Sequence, residues 1–268
     1  MFEPYLQRWQ LIVDGAPIIT HSSHLLPVHY RNQPAMLKVA LVAEELNGAL
    51  LMQWWDGQGA AKVLAYADSG LLLERAQGPD ALSDYATHGR DQQATRILCQ
   101  TVTTLHTRPG KPELPLVNLQ TWFKSLREAA LLHGGIYQHC AQTAEQLLAT
   151  PWEESVLHGD IHHGNVLDFG PRGWLAIDPK GLYGERTFDY ANLFCNPSPQ
   201  IATDRQHFSQ RLEMVCALAG LPRQRLLQWI VAWCGLSAAW FQEDEDQEAV
   251  EQRLKVAQQA LNALAAGN

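Results

Sequence analysis

The chain has few cysteines, and they are badly placed for a disulfide or zinc framework. There are five, Cys99, Cys140, Cys195, Cys216 and Cys234, widely spaced and with no C-x-x-C. Long hydrophobic runs are also missing. The longest, Trp229 to Phe241, has 13 residues including Gly235 and Ser237, too short to span a bilayer. The first ten residues carry Glu3 and no apolar stretch of the kind that opens a secretory signal, so the expected location is the cytoplasm. Charged residues are sparse at 18%, below the usual quarter or so, which argues against long charged tails. Basic residues are the scarcer sign: 20 Lys and Arg stand against 28 Asp and Glu, a net charge of −8. A general nucleic-acid binder needs the opposite balance. Neither nucleic acid nor membrane is therefore an expected partner, and the oligomeric state is left open. What remains is 268 residues, 46% of them hydrophobic, enough for a large buried core.

The first 75 residues read as strands with one helix. Leu11–Val13 and Ala16–Thr20 flank Asp14-Gly15, a hairpin-turn signal. Val28–Tyr30 with Ala35–Val39, and Ala61–Tyr66 with Gly70–Glu74, form two further candidate hairpins. Between them a helix is expected over 41–55, with Val42, Leu46, Ala49 and Leu50 as its apolar stripe. From Asp80 onward the pattern turns helical, with Ala94, Ile97, Leu98, Val102 and Leu105 on one stripe and breaks at Pro109, Pro112 and Pro115. The expected fold is α+β and bilobal, with a small β-rich lobe (1–75) and a larger helical lobe (76–268). A ligand is expected in the cleft between them.

The chemistry concentrates in V-L-H-G-D-I-H-H-G-N, Val156 to Asn165, followed by W-L-A-I-D-P, Trp174 to Pro179. Two apolar runs flank Gly170-Pro171-Arg172-Gly173, which predicts a hairpin with a four-residue loop. Pairing it symmetrically sets Phe169 against Trp174 and Asn165 against Asp178. Residues opposed in this way have Cβ atoms roughly 4.5–5.5 Å apart. Asp160, Asn165 and Asp178 then form an oxygen-rich cluster of the kind that suits Mg²⁺. An Asp five residues before an Asn, then an Asp beyond a short hairpin, is the catalytic-loop arrangement of kinases. In that scheme Asp160 accepts the substrate hydroxyl proton, and Asn165 and Asp178 hold the metal that bridges the nucleotide phosphates.

H-G-D-I-H-H-G-N with G-W-L-A-I-D-P-K-G-L-Y-G-E resembles the aminoglycoside phosphotransferase family, and within it the streptomycin/hydroxyurea resistance kinase branch. The doubled His162-His163, the Ile177–Gly181 run and Leu236-Ser237-Ala238-Ala239-Trp240 carry the resemblance. It implies a protein-kinase-like fold and a phosphotransferase that uses ATP and Mg²⁺ on a hydroxyl of a small acceptor, an aminoglycoside such as cationic streptomycin. It also implies further parts. Lys38 ends a strand and would meet the α- and β-phosphates. Glu45, preferred over Glu44 from its place on the helical wheel, would pair with Lys38. Backbone groups from Glu74 to Ala76 would hold adenine. Gly-x-Gly-x-x-Gly is absent, so Thr20-His21-Ser22-Ser23 is the expected phosphate-covering loop, with Ser22 and Ser23 at the phosphates. Lys180 would neutralise charge on the transferred group. Asp189 would brace the catalytic loop.

Three alternatives compete. The same fold phosphorylates other small metabolites, such as sugars or amino alcohols. A kinase-like scaffold can also bind nucleotide without catalysis, but such scaffolds usually lack one of the parts present here as Lys38, Asp160, Asn165 and Asp178. A metallohydrolase reading of His158, His162 and His163 fails on residue order, and His158 reads better as a packed loop organiser. The acidic run Glu243, Asp244, Glu245, Asp246 and Glu248 has two readings, a solvated helix start or part of a site for a cationic acceptor. Trp229, Trp233 and Trp240 recur at helical spacing and read as core.

Overall fold

A computed structural model describes residues 1–267 of the chain. Helix α1 (Glu3–Trp9) leads into strands β1 (Ile12–Val13), β2 (Ile18–Ile19), β3 (Ser23–Tyr30) and β4 (Gln33–Ala40), helix α2 (Ala43–Trp55), and strands β5 (Val63–Ala67) and β6 (Gly70–Glu74). Helices α3 (Leu82–Thr87) and α4 (Asp91–His106) follow, then β7 (Val117–Asn118), α5 (Leu119–Trp122), α6 (Lys124–His133) and α7 (Ile136–Ala149). Four short strands come next: β8 (Glu154–Leu157), β9 (Val166–Asp168), β10 (Trp174–Ala176) and β11 (Leu182–Glu185). Helices α8 (Pro199–Ala202), α9 (Arg205–Ala219), α10 (Arg223–Glu243) and α11 (Gln247–Ala266) complete the fold. A β-sheet lobe thus precedes a mainly helical one, as the sequence pattern predicts.

The large sheet runs β1-β3-β4-β6-β5, with β2 also on β3. Asp14-Gly15 does not close a hairpin between β1 and β2. Both strands pair with β3 instead, Val13 against Val28 and Ile18 against Leu25. They form one interrupted edge, and the break falls at 14–17, where Pro17 has no N–H to give a ladder. The β3–β4 hairpin turns on Arg31-Asn32, both with positive φ (50° and 64°), a type I′ signature. Along β4 the side chains alternate. Ala35, Leu37 and Val39 enter a small core with Tyr5, Leu26, Val28 and Leu72, whereas Met36 and Lys38 line a cleft on the other face.

The stripe expected on α2 is displaced. Only Ala49 of the four stripe residues is buried; the buried face is Glu45, Gly48, Ala49, Leu51, Met52 and Trp55. The reason lies in what α2 packs against. A Cβ on Gly48 would stand 2.2 Å from the Pro179 carbonyl oxygen, so the helix backbone rests on the Asp178–Lys180 segment and glycine is the residue that permits it. In the helical lobe, α10 is buried on nearly all sides from Leu226 to Ala239, as expected of a helix apolar all round.

Gly48→Ala is expected to destabilise the protein by about 1–3 kcal/mol in urea unfolding, the usual cost of overpacking. Helix propensity alone would give a gain of about 1 kcal/mol. A stabilised variant would show that α2 does not rest on this segment.

Candidate active site

Two cavities lie on either side of the segment Asp178–Lys180. The first, of about 560 Å³, lies under the sheet and is lined by Ser22, Ser23, Lys38, Glu45, Glu74, Ala76 and Asp178, with apolar walls from Leu25, Met36, Leu71 and Leu167. The second, of about 630 Å³, holds Asp160, His162 and Lys180 against Trp122, Trp233, Trp240, Glu243, Asp244 and Arg253. The turn between β2 and β3 reaches both: Ser22 faces the first and His21 the second.

The catalytic loop follows β8 and is held from behind. Asp189 accepts N–H donations from His158 (2.9 Å) and Gly159 (2.7 Å) and meets the His106 ring at 2.8 Å. Gly159 has φ +87°, and a Cβ there would lie 2.7 Å from Leu182, so the turn that presents Asp160 requires glycine. His158 is fully buried, and both ring nitrogens are engaged. Nε2 meets the Ile177 carbonyl at 2.8 Å, and the Asp160 N–H donates to Nδ1 at 3.2 Å. Those bonds leave no ring nitrogen for a metal, so His158 is the loop organiser expected and the metallohydrolase reading has no ligand here. His162 lines the second cavity, whereas His163 is buried with neither ring nitrogen partnered.

The hairpin register differs by one residue from symmetric pairing. Trp174 opposes Asp168 and Ala176 opposes Val166. The loop is therefore Phe169 to Gly173, containing a 3₁₀ turn at Gly170–Arg172. Ile177, not Asp178, lies opposite Asn165, and its N–H donates to the Asn165 carbonyl at 2.9 Å. A one-residue slip turns every side chain to the other face, but Asp178 has φ +63°. This left-handed residue breaks the alternation, and Asp178 reaches the first cavity.

Lys38, Glu45 and Asp178 come together. Lys38 Nζ forms ion pairs with both carboxylates, and its side chain is 11% exposed. Ser22 Oγ donates to Glu45 at 2.7 Å. Glu44 pairs with the other lysine, Lys180, at 3.3 Å. The two adjacent glutamates are thus divided between two lysines. Burial alone would raise the Asp178 carboxyl, but Lys38 and Lys180 outweigh it and hold its pKa below the ordinary value. Burial likewise opposes the Lys180 charge, and the carboxylates of Asp178, Asp160 and Glu44 overcome it and raise its pKa. At Asp160 burial wins. It pushes the carboxyl up to about 7 against the pull of Lys180.

Of the other predicted residues, Ser23 is buried at the start of β3, where its N–H donates to Thr20 Oγ1 at 3.0 Å. Glu74 ends β6. Its N–H is committed to the Lys62 carbonyl (3.0 Å) and its carboxylate to the Lys62 N–H (2.6 Å) and to Arg172. Asn165 donates through Nδ2 to the Asp160 carbonyl (3.0 Å) and carboxylate (3.2 Å). That commitment leaves Oδ1 as its acceptor. Within the acidic run, Glu243 and Asp244 line the second cavity, whereas Asp246 caps α11 by accepting from the Ala249 N–H. Trp233 and Trp240 are cavity walls as well as packing. Sequence reasoning missed Asn192, whose Nδ2 donates to Asp160 at 2.9 Å. Its only signal was its place three residues after Asp189.

This fold and this paired-cavity site define a class, the protein-kinase-like small-molecule phosphotransferases. Solved structures of the same fold include an aminoglycoside phosphotransferase in ternary complex with ADP and hygromycin B (TM-score 0.64, 13% identity, 96% of this chain and 97% of that one). Choline kinase from Cryptosporidium parvum is another (TM-score 0.67, 12% identity, 96% and 91%). Residues 8–245 match the aminoglycoside/hydroxyurea antibiotic resistance kinase family, and the chain belongs to that family. It is 51% identical to streptomycin 3″-kinase from Klebsiella pneumoniae over 241 residues, 88% of this chain and 90% of the relative. It is 28% identical to streptomycin 6-kinase from Streptomyces glaucescens over 91% of this chain and 83% of the relative. Identity is also 28% to hydroxyurea phosphotransferase from Kitasatospora aureofaciens, over 96% and 77%.

Three histidines of the catalytic loop, two of them in the core and His162 on the cavity wall, make the fold acid-sensitive. Burial drives His158 and His162 down to about 4 and His163 well below its ordinary value. An unfolded histidine takes up its proton near 6.5, so stability is lost as pH falls from 6.5 toward 4. Asp160 opposes this, because its raised pKa lets the folded state bind a proton first. The net is about two protons, with each proton changing stability by about 1.4 kcal/mol per pH unit. His163→Phe removes a titrating ring that makes no hydrogen bond. The stability difference between pH 7 and pH 5, from urea midpoints, should be smaller in that variant than in the wild type. An unchanged difference would show that His163 is not buried neutral.

Proposed function

We propose that this chain transfers the γ-phosphate of ATP to a hydroxyl of streptomycin, and specifically to the 3″-hydroxyl. The observation that carries the reading is the junction of the two cavities. Asp178 lines one, and Lys180, two residues later, lines the other beside Asp160. A nucleotide and an acceptor bound in them would meet at Asp160. The choice of streptomycin rests on the 51% identical relative, and the choice of 3″ on its excess over the 28% identity of the 6-kinase.

In this reading residues 1–75 form the nucleotide lobe and 76–268 the lobe carrying catalysis and the acceptor. Adenine lies between the apolar walls of the first cavity, with its edge at the backbone of Glu74 to Ala76. Because the Glu74 N–H is taken, the Ala76 N–H is the donor that remains for the purine. Lys38, fixed by Glu45, meets the α- and β-phosphates. Ser22 and Ser23 cover the phosphate chain. Asp178 and the free Oδ1 of Asn165 suit Mg²⁺, a hard cation that prefers oxygen ligands. When bound, the ion would neutralise phosphate charge. Asp160 takes the proton as the acceptor oxygen bonds to the γ-phosphorus and the bond to the β–γ bridging oxygen breaks, releasing ADP. Lys180 offsets charge on the transferred group. In the second cavity Glu44, Asp160, Glu243 and Asp244 outnumber Lys180 and Arg253, which supports a cationic acceptor. The net acidic charge and the absence of a membrane-length apolar helix among the described residues fit a small-molecule enzyme of the cytoplasm.

Asp160→Asn is expected to lower kcat by about 10²–10⁴-fold with KM for ATP nearly unchanged. Unchanged turnover at saturating streptomycin would overturn the assignment of the base. Glu243→Gln combined with Asp244→Asn should raise KM for streptomycin with kcat nearly kept, the signature of lost uniform binding. Phosphorus–proton correlation NMR of the product reads the position directly. Phosphate at the 6-hydroxyl, or phosphorylation only of neutral sugars or amino alcohols in a panel assay, would replace the proposed acceptor or position while keeping the kinase.

A further inference from the structure

Asp160 has two carboxylate oxygens, and each is held by a different amide. Asn165 holds Oδ2 at 3.2 Å from within the catalytic loop. Asn192 holds Oδ1 at 2.9 Å from the turn that follows Asp189. The second contact is unusual because the amide making it is itself fixed. Asn192 Oδ1 accepts from the Trp233 indole N–H at 3.1 Å and from Asn196 Nδ2 at 3.0 Å. An indole N–H can only donate. Flipping the Asn192 amide would set its NH₂ against that donor and its oxygen against the Asp160 carboxylate, so both contacts would turn repulsive. Trp233 therefore selects the orientation in which Asn192 donates to Asp160.

The anchor is rigid. Trp233 is 4% exposed and packs edge-to-face on Phe188 and Trp240, so the indole N–H cannot follow a moving partner. Asn192 is 6% exposed. Each Asp160 oxygen keeps a second lone pair after these contacts. A carboxylate pinned at both ends presents those lone pairs to the second cavity in one orientation, as proton abstraction from a bound hydroxyl requires.

We propose that Asn192, with its amide direction set by Trp233, is a positioning residue that orients Asp160 toward the acceptor hydroxyl. The inference rests on the phosphotransferase reading, in which Asp160 takes that proton. Helix α10 then shapes the acceptor wall and also aims the base.

A double-mutant cycle on the full chain tests the proposal, with kcat measured at saturating streptomycin and ATP. Asn192→Leu keeps the shape and removes both hydrogen-bonding ends. It should lower kcat by about 10- to 100-fold while KM for ATP stays within twofold, because the loss falls on the chemical step alone. Trp233→Phe keeps the ring and removes the N–H, and should lower kcat about three- to tenfold. The double variant should be no slower than Asn192→Leu at saturating streptomycin, since Trp233→Phe keeps a ring in the cavity wall and the lost indole N–H acts on kcat through the amide. Wild-type kcat in Asn192→Leu, or losses that multiply in the double variant, would overturn the proposal. If Asn192→Leu does not fold, Trp233→Phe decides alone, and full kcat with unchanged KM for ATP counts against the coupling. A wild-type protein inactive on streptomycin and on the other acceptors of the panel overturns the phosphotransferase reading and this inference with it. A wild type active on any of them leaves the variants to judge the positioning role.

Discussion

The site depends on one buried ammonium group. Lys38 sits on β4 with its side chain almost out of water and meets Glu45 from α2 and Asp178 from the segment after β10. An unpaired charge in such a place is costly, and removing one partner of a buried pair costs about 3–5 kcal/mol. The pairing thus ties sheet, helix and catalytic segment into one geometry. Gly48 enforces the same approach through packing, since any larger residue would drive α2 off the Pro179 carbonyl. Charge and shape specify one arrangement independently, and such agreement between levels favours a single native state.

The cluster around that lysine is not electrically balanced. Lys38 and Lys180 face four carboxylates, Glu44, Glu45, Asp160 and Asp178. The surplus is about two negative charges when all four are ionised, and burial relieves part of it by raising the Asp160 pKa. A polyphosphate brought into the first cavity would add negative charge to a site already in deficit. Binding it favourably requires cations beyond the two lysines, and in the proposed reading a divalent ion at Asp178 and Asn165 would cancel the carboxylate surplus.

The loop and hairpin that carry Asp160, Asn165 and Asp178 were legible because the motif is local. Asp160, Asn165 and Asp178 lie within one loop and one hairpin, and their types and spacing constrain what they can do. Lys38 and Glu45 were legible because strand and helix periodicities place them. The register of the hairpin was not. Symmetric pairing assumed that Asp178 continues the strand, and only its left-handed backbone, invisible in a list of residue types, returns its side chain to the cleft. The β1–β2 hairpin failed because a good turn dipeptide says nothing about a third strand that pairs better with both arms. The α2 stripe failed because the helix buries a glutamate and a glycine, which no apolar pattern marks. The acceptor wall was least legible. Trp122, Trp233, Trp240 and Arg253 come from α5, α10 and α11, and nothing in their local sequence separates a cavity wall from core.

That difference has a physical consequence. The first cavity is built largely from adjacent strands and one helix, so its geometry is set by hydrogen-bonded registers that tolerate few alternatives. The wall of the second cavity is built from helix faces that meet only through long-range packing, and helix faces accept substitution more readily than ladders do. On that ground alone the acceptor wall would be the freely variable part of the fold. Helix α10 limits the freedom. Its Trp240 and Glu243 line the second cavity, while Trp233, seven residues before Trp240, is hydrogen-bonded to the amide that holds Asp160. Two turns of one helix thus join the wall of the second cavity to the amide that holds Asp160. Reshaping the wall near Glu243 leaves the base alone. In the proposed reading, reshaping it at Trp233 would change selectivity and turnover together, because the same ring lines the second cavity and holds the amide that meets Asp160.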